Sequence, residues 1–273
     1  MKIMKKLLIS GGTILILGSA FFAFNGCTLL SAAGLNSQGL SAKEAPQPLI
    51  STTENSSVNL DHSDWDALLK KYVNADGDVN YKGFQNDREA LHEYLNYLSE
   101  NKPHKKWSVQ EQLAYYINTY NAYTLNLILD NYPVKSIRDL DGPWANAIVP
   151  VGDVMMSLAG IENSILRKMN EPRIHFAINC ASFSCPKLLN EAFTAGKINE
   201  QLERVTLDFI NSEKNELGEN SVQLSSIFDW YKKDFTGNGR TLIEYINQYS
   251  NTGINPDAAI SFKKYNWNLN EQK

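Results

Sequence analysis

The chain has 273 residues, 43% hydrophobic and 21% charged. That composition suits an ordinary globular protein of one large domain or two small ones. A net charge of −4 with no cluster of Lys or Arg argues against nucleic acid as a partner.

Lys2, Lys5 and Lys6 form a basic start, Leu7 to Phe24 an apolar run, and Gly26 and Cys27 follow it. This is the pattern of a secretory signal. Phe24, Asn25, Gly26 and Cys27 resemble the lipobox of a bacterial lipoprotein. The expectation is a signal peptide over 1–26 and a lipidated Cys27 as the first mature residue. By resemblance to sorting rules, Thr28 after it favours the outer membrane, with the chain facing the periplasm. More than one acyl chain makes such an anchor stable. Cleavage removes three lysines and no acid, so the net charge falls by three, from −4 to −7. The membrane partner is then reached through lipid alone. Residues 27–60 are rich in Ser, Ala, Gly, Asn and Gln, with Pro46 and Pro48, and read as a flexible tether. A single globular domain is expected over 61–273.

Ser63 or Asp64 can cap a helix through Tyr72, with Trp65, Leu68, Leu69 and Tyr72 on one face. Asn74 to Asp78 is a turn. It is no calcium loop, because the twelfth position from Asn74 is Gln85 rather than Glu. Leu91, Tyr94, Leu95 and Leu98 predict an amphipathic helix over Asp87–Glu100. Ser108 with Glu111 forms a capping-box pattern before a helix over Val109–Asp130. That helix is apolar on more than one side, so it is central and buried. Asn118, Asn121 and Asn126 within it need partners, because a buried amide without one is costly. Pinning a loop and orienting a catalytic group are both open to them. A β-hairpin follows, with strands Ala147–Val151 and Val154–Ser157. Next comes a helix over Leu158–Met169 carrying Glu162 and Arg167. Later helices are predicted over Ile198–Ile210, Ile227–Phe235 and Thr241–Tyr249. Val222–Leu224 and Ile260–Trp267 read as strands.

The stretch from Arg173 to Pro186 holds His175, Asn179, Cys180 and Cys185. Ile174 to Asn179 reads as a buried strand running into a small polar loop that ends at Pro186. Alternation along such a strand puts His175 and Cys180 on opposite faces. A bend at Asn179 would be needed to bring them together. A thiol beside an imidazole can ionise to a nucleophile, with an amide or carboxylate orienting the base. Other readings of the pair stay open: a disulfide, as exported proteins favour, two buried inert thiols, or a metal held with His175.

These motifs together resemble the family called domain of unknown function 547. The residues that carry the resemblance are Tyr115 to Ala122, Ile161-Glu162, Arg173 to Ser182, Ser184 to Pro186, Ile227 to Tyr231, Asp234-Phe235, and Tyr265 to Trp267. The resemblance spans about residues 61–270 and implies a papain- or transglutaminase-like α+β arrangement. One departure matters: Asn163 stands where the family usually has His. The expected fold is a helix-rich α+β domain with a long buried central helix and a small antiparallel sheet. The expected function is that of an envelope lipoprotein acting as a Cys/His-dependent hydrolase or acyl transferase. Cys180 or Cys185 is its nucleophile and His175 its base, oriented by Glu162, Asn118 or Asn121. The alternative is a non-catalytic lipoprotein that binds a peptide, glycan or protein partner, with Cys180 and Cys185 in a structural disulfide. Neither reading calls for a cofactor or a resident metal.

Overall fold

Apolar residues at helical spacing give helix α1 (Ser63–Tyr72) a buried face of Trp65, Leu68, Leu69 and Tyr72. They give α2 (Arg88–Glu100) a face of Leu91, Tyr94, Leu95 and Leu98. Helix α1 packs on α2, and α2 packs on α3 (Val109–Asn131). Helix α3 is buried on every side from Val109 to Leu125, so the domain is built around it. Helix α4 (Ile198–Ile210) packs against α3 and against a single helical turn at Ile174–Ala177. The computed structural model describes residues 29–273. The expected signal peptide and the expected lipidation site Cys27 lie outside the described residues. Among the described residues, no helix is long and apolar enough to cross a membrane.

Strands β1 (Ala147–Val151) and β2 (Val154–Ser157) form the expected hairpin, with Val151 opposite Val154. Gly152 turns it at φ +59°, where a residue without Cβ is favoured. A second sheet holds β3 (Glu216–Leu217), β4 (Ser221–Leu224) and β5 (Ala259–Phe262). Strands β3 and β4 are antiparallel, while β5 runs parallel to β4. Helix α5 (Leu242–Asn247) carries the chain between them under a complete capping box of Thr241 and Glu244. The helix-rich α+β architecture and its small sheets are as the sequence led us to expect.

Four local expectations change. Residues 29–60 are not a free tether. Leu40, Ala45 and Leu49 are buried in the same core as the helices. The Lys43 N–H donates to Gln112 Oε1 (2.9 Å), and Gln110 Nε2 donates to the Ile50 carbonyl (2.8 Å). This arm lacks periodicity because side chains of α3, not a regular ladder, satisfy its backbone. Ser108 does cap α3, accepting from the Glu111 N–H. The Glu111 carboxylate instead accepts from the Leu60 N–H (2.8 Å), so the capping box is not closed and the arm is tied down again. The expected strand at Ile174–Asn179 is a helical turn at Ile174–Ala177 followed by extended backbone at Ile178. The segments expected as helices over 158–169 and 227–235 are broken. The first passes through a π-helical turn, Ile161–Ile165. The second splits at Tyr231 into two four-residue turns.

Asn118 is buried on α3. Its Nδ2 donates to the Phe193 carbonyl (2.8 Å) and its Oδ1 accepts from the Phe193 N–H (3.0 Å). One side chain thus completes a buried peptide unit as a neighbouring strand would. Asn118→Ala should leave both groups of Phe193 unpaired and lower unfolding stability by about 2–4 kcal/mol, measured in urea. A loss under about 0.5 kcal/mol would show that the clamp carries no weight.

Candidate functional site

Asn121, one turn along α3 from Asn118, grips the central stretch in the same way. Its Nδ2 donates to the Ala177 carbonyl (3.0 Å), and its Oδ1 accepts from the Asn179 N–H (2.8 Å). Asn179 then shapes the loop after it. Its Oδ1 accepts from the Ala181 N–H (2.8 Å) and its Nδ2 donates to the Pro186 carbonyl (2.7 Å). Ala181 sits at φ +58°, a left-handed conformation that such a built turn can impose. On its other side the loop pairs with the C-terminal segment. The Phe183 N–H donates to the Asn268 carbonyl and the Ser184 N–H to the Asn266 carbonyl.

The turn brings the two thiols together. Cys180 Sγ and Cys185 Sγ lie 3.0 Å apart, and both are free. Cys180 keeps partial exposure, while Cys185 is buried. The hydroxyls of Ser182 and Tyr265 lie 3.1 and 3.4 Å from Cys180 Sγ, and Ser182 donates to Tyr265 (3.0 Å). The Cys185 thiol, then these two hydroxyls, outweigh burial and bring the Cys180 thiol down to about 7. Burial and the neighbouring Cys180 push the Cys185 thiol well up. Cys180 is therefore the thiol suited to react, and Cys185 the one suited to stay protonated.

His175 stands on the turn before Asn121's grip. Its Nε2 lies 2.8 Å from Asp234 Oδ2, and its Nδ1 has no hydrogen-bond partner. The ring stacks on Tyr231, with centroids 4.0 Å apart. Asp234 is also held in bidentate fashion by Arg167, at 2.6 and 2.9 Å. Burial alone would raise the Asp234 carboxyl, but His175 and Arg167 hold it well below the usual carboxylate range. The carboxylate thus stays ionised beside the imidazole.

Cys180, Cys185, His175 and Glu162 line one cavity of about 360 Å³. Glu162 reaches it from the π-helical turn, a distortion that often marks a functional position. Tyr120 and Tyr231 line it too, and their phenols are kept neutral by burial and by the carboxylate of Glu162. Asn118 and Asn121 are not part of its lining. The expected amide orienter of His175 is thereby corrected: both amides are used up on backbone, and Asp234 holds the imidazole. Asp234 had only its place in the family motif to single it out, since 59 residues of sequence separate it from His175. Asn163, where the resemblance led us to expect His, accepts from Arg167 (2.9 Å) and donates to the Ala32 carbonyl (2.8 Å). It ties the N-terminal arm to the Asp234 network and has no free nitrogen to act as a base. Among the described residues, no three His, Cys, Asp or Glu side chains are grouped to hold a metal ion.

The lowered Asp234 carboxyl gives a pH signature. A depressed acid contributes stability above its unfolded value of about 3.9, and that contribution is lost as pH falls below it. Unfolding stability should therefore drop on acidification below about pH 4. Asp234→Asn should flatten part of that drop, and cost on the order of 1 kcal/mol at neutral pH because the site is only half-buried. Superimposable acid limbs would show that Asp234 is not ion-paired.

No curated protein and no solved structure matches the chain. Residues 104–210 match a family model described as a protein of unknown function, DUF547. The matched stretch runs from just before α3 through the Cys180 loop to the end of α4, and includes Glu162, His175 and both thiols, while Asp234 and Tyr265 fall beyond it. Over that stretch, fewer than half of its residues, the chain is similar to the DUF547 family.

Proposed function

We propose that this protein is a thiol-dependent acyl-transfer enzyme, a hydrolase or acyl transferase, held at the cell envelope by lipid on Cys27. One observation carries the reading. A partly exposed thiol brought down to about 7 shares a cavity with an imidazole whose Nε2 is already occupied by a carboxylate and whose Nδ1 is free. That division of labour is the logic of a nucleophile, a base and an orienting acid.

In the reaction, the Cys180 thiolate attacks the substrate carbonyl carbon and forms a C–S bond. The bond to the leaving group breaks, and the leaving group takes a proton from the His175 imidazolium. Water, an amine or a hydroxyl then gives a proton to His175 and attacks the thioester, which releases the acyl product and restores the thiol. Asp234 stabilises the imidazolium present before the leaving group departs and formed again in the second step, and Tyr120 offers a neutral phenol toward the same cavity.

The 3.0 Å separation of the thiols favours a second reading, in which they close a disulfide and the cavity only binds. p-Nitrophenyl acetate tells the two apart. The acyl-enzyme reading expects a burst of p-nitrophenol and one acetyl group on Cys180 by peptide mass spectrometry. Cys180→Ala should abolish both, and His175→Ala or Asp234→Asn should slow acylation on the order of 100-fold. Acetylation spread over surface lysines, with Cys180 untouched, would overturn the proposal.

A further inference from the structure

Glu162 is the feature of the cavity that the acyl-transfer scheme does not use. It is 7% exposed, and a buried Glu is nearly always paired. Yet no Lys, Arg or His among the described residues forms an ion pair with it. The Arg167 guanidinium is spent on both oxygens of Asp234, and the Tyr231 hydroxyl beside Glu162 is a neutral donor. Glu162 is also the sole carboxylate in the cavity lining, which contains no Lys or Arg.

The wall opposite to charge in character is aromatic. Trp144, Trp230, Tyr265 and Trp267 line the cavity as one packed cluster, with Trp230 and Trp267 stacked at 5.8 Å and Tyr265 4.4 Å from Trp267. Trp230 is 48% exposed, an unusual position for a large apolar ring without a partner. The faces of these rings attract cations. One already does so, with Arg138 5.3 Å from the Trp267 centroid, and beside the cluster Arg167 lies 5.4 Å from the centroid of Tyr231. A buried carboxylate without a cation, together with electron-rich walls, is what an alkylammonium group needs: an opposite charge for its head and π faces for its carbon stem.

We propose that the cavity takes an organic ammonium, the amine-bearing part of the substrate or of the acyl acceptor, with its nitrogen on Glu162 and its stem along the Trp144, Trp230 and Trp267 wall. Calling that ligand a substrate rests on the acyl-transfer reading; the binding itself does not.

The test is a tryptophan-fluorescence titration of the full chain with n-butylammonium, with 1-butanol as the neutral counterpart and chitotriose as a neutral glycan. Saturable quenching in the millimolar range is expected for the amine alone. Glu162→Gln, shown to be folded by its thermal midpoint, should weaken binding about 10-fold or more. Should that variant fail to fold, Trp230→Leu at the exposed ring must weaken it instead. Cys180→Ala protein, which cannot form an acyl-enzyme, should still bind the amine saturably, so a failure of the thiol chemistry leaves this result standing. Equal binding of 1-butanol or chitotriose, no saturable binding of the amine, or unchanged binding by folded Glu162→Gln would each overturn the inference.

Discussion

The site depends on one buried amide. Asn121 presents a donor and an acceptor from the most buried helix of the domain, and the backbone of Ala177 and Asn179 occupies both. His175 precedes that contact and Cys180 follows it, so their placement is set from α3 rather than from the loop itself. A loop of small polar residues has little packing of its own and would otherwise sample many conformations. Asn179 extends the control outward through Ala181 and Pro186. Asn118 does the same for Phe193. Helix α3 therefore works partly as a strand would, offering hydrogen-bond pairs along one face to irregular backbone that has no sheet partner.

The second constraint is electrostatic. Asp234 is ionised in a half-buried place because Arg167 and His175 both face it. Arg167 also bonds Asn163, which holds the Ala32 carbonyl of the N-terminal arm. Arm, π-helical turn, His175 and the turn at Lys232–Phe235 are thus joined through one guanidinium. Glu162 stands beside this network without a cation of its own. The two acids differ in their neighbours as well as in burial, Asp234 being half-buried and Glu162 buried. Asp234 is thus held in an ion-paired network, while Glu162 faces the cavity with no ion-pair partner among the described residues.

Periodicity made the regular part legible. Leu91, Tyr94, Leu95 and Leu98 predicted α2, the all-round apolar pattern predicted that α3 is central, and Ser108 marked its start. The Gly152 turn and its flanking runs predicted the hairpin. The stretch from Arg173 to Pro186 pointed to the site because it gathers His, Asn and two Cys. Its local structure was misread because Ile174, Phe176 and Ile178 fit a strand as well as a turn, and only the grip of Asn121 decides between them. The arm over 29–60 carries no pattern of its own, because its partners, Gln110, Gln112 and Glu111, are on another element. Asp234 and Tyr265 reach the site from 59 and 85 residues away. No local signal in the chain could bring them there.

The central claim is that Cys180, and not Cys185, is the ionised and available thiol. The direct measurement is the rate of iodoacetamide alkylation at each cysteine against pH, on protein purified without reductant and read by peptide mass spectrometry. The account predicts that Cys180 alone is labelled, with a rate that rises through a midpoint at about 7, and that Cys185 stays unlabelled while the fold is intact. A mass two hydrogens light with neither cysteine labelled would mean a closed disulfide. Faster labelling of Cys185, or a midpoint at the ordinary thiol value of about 8.5, would contradict the account equally.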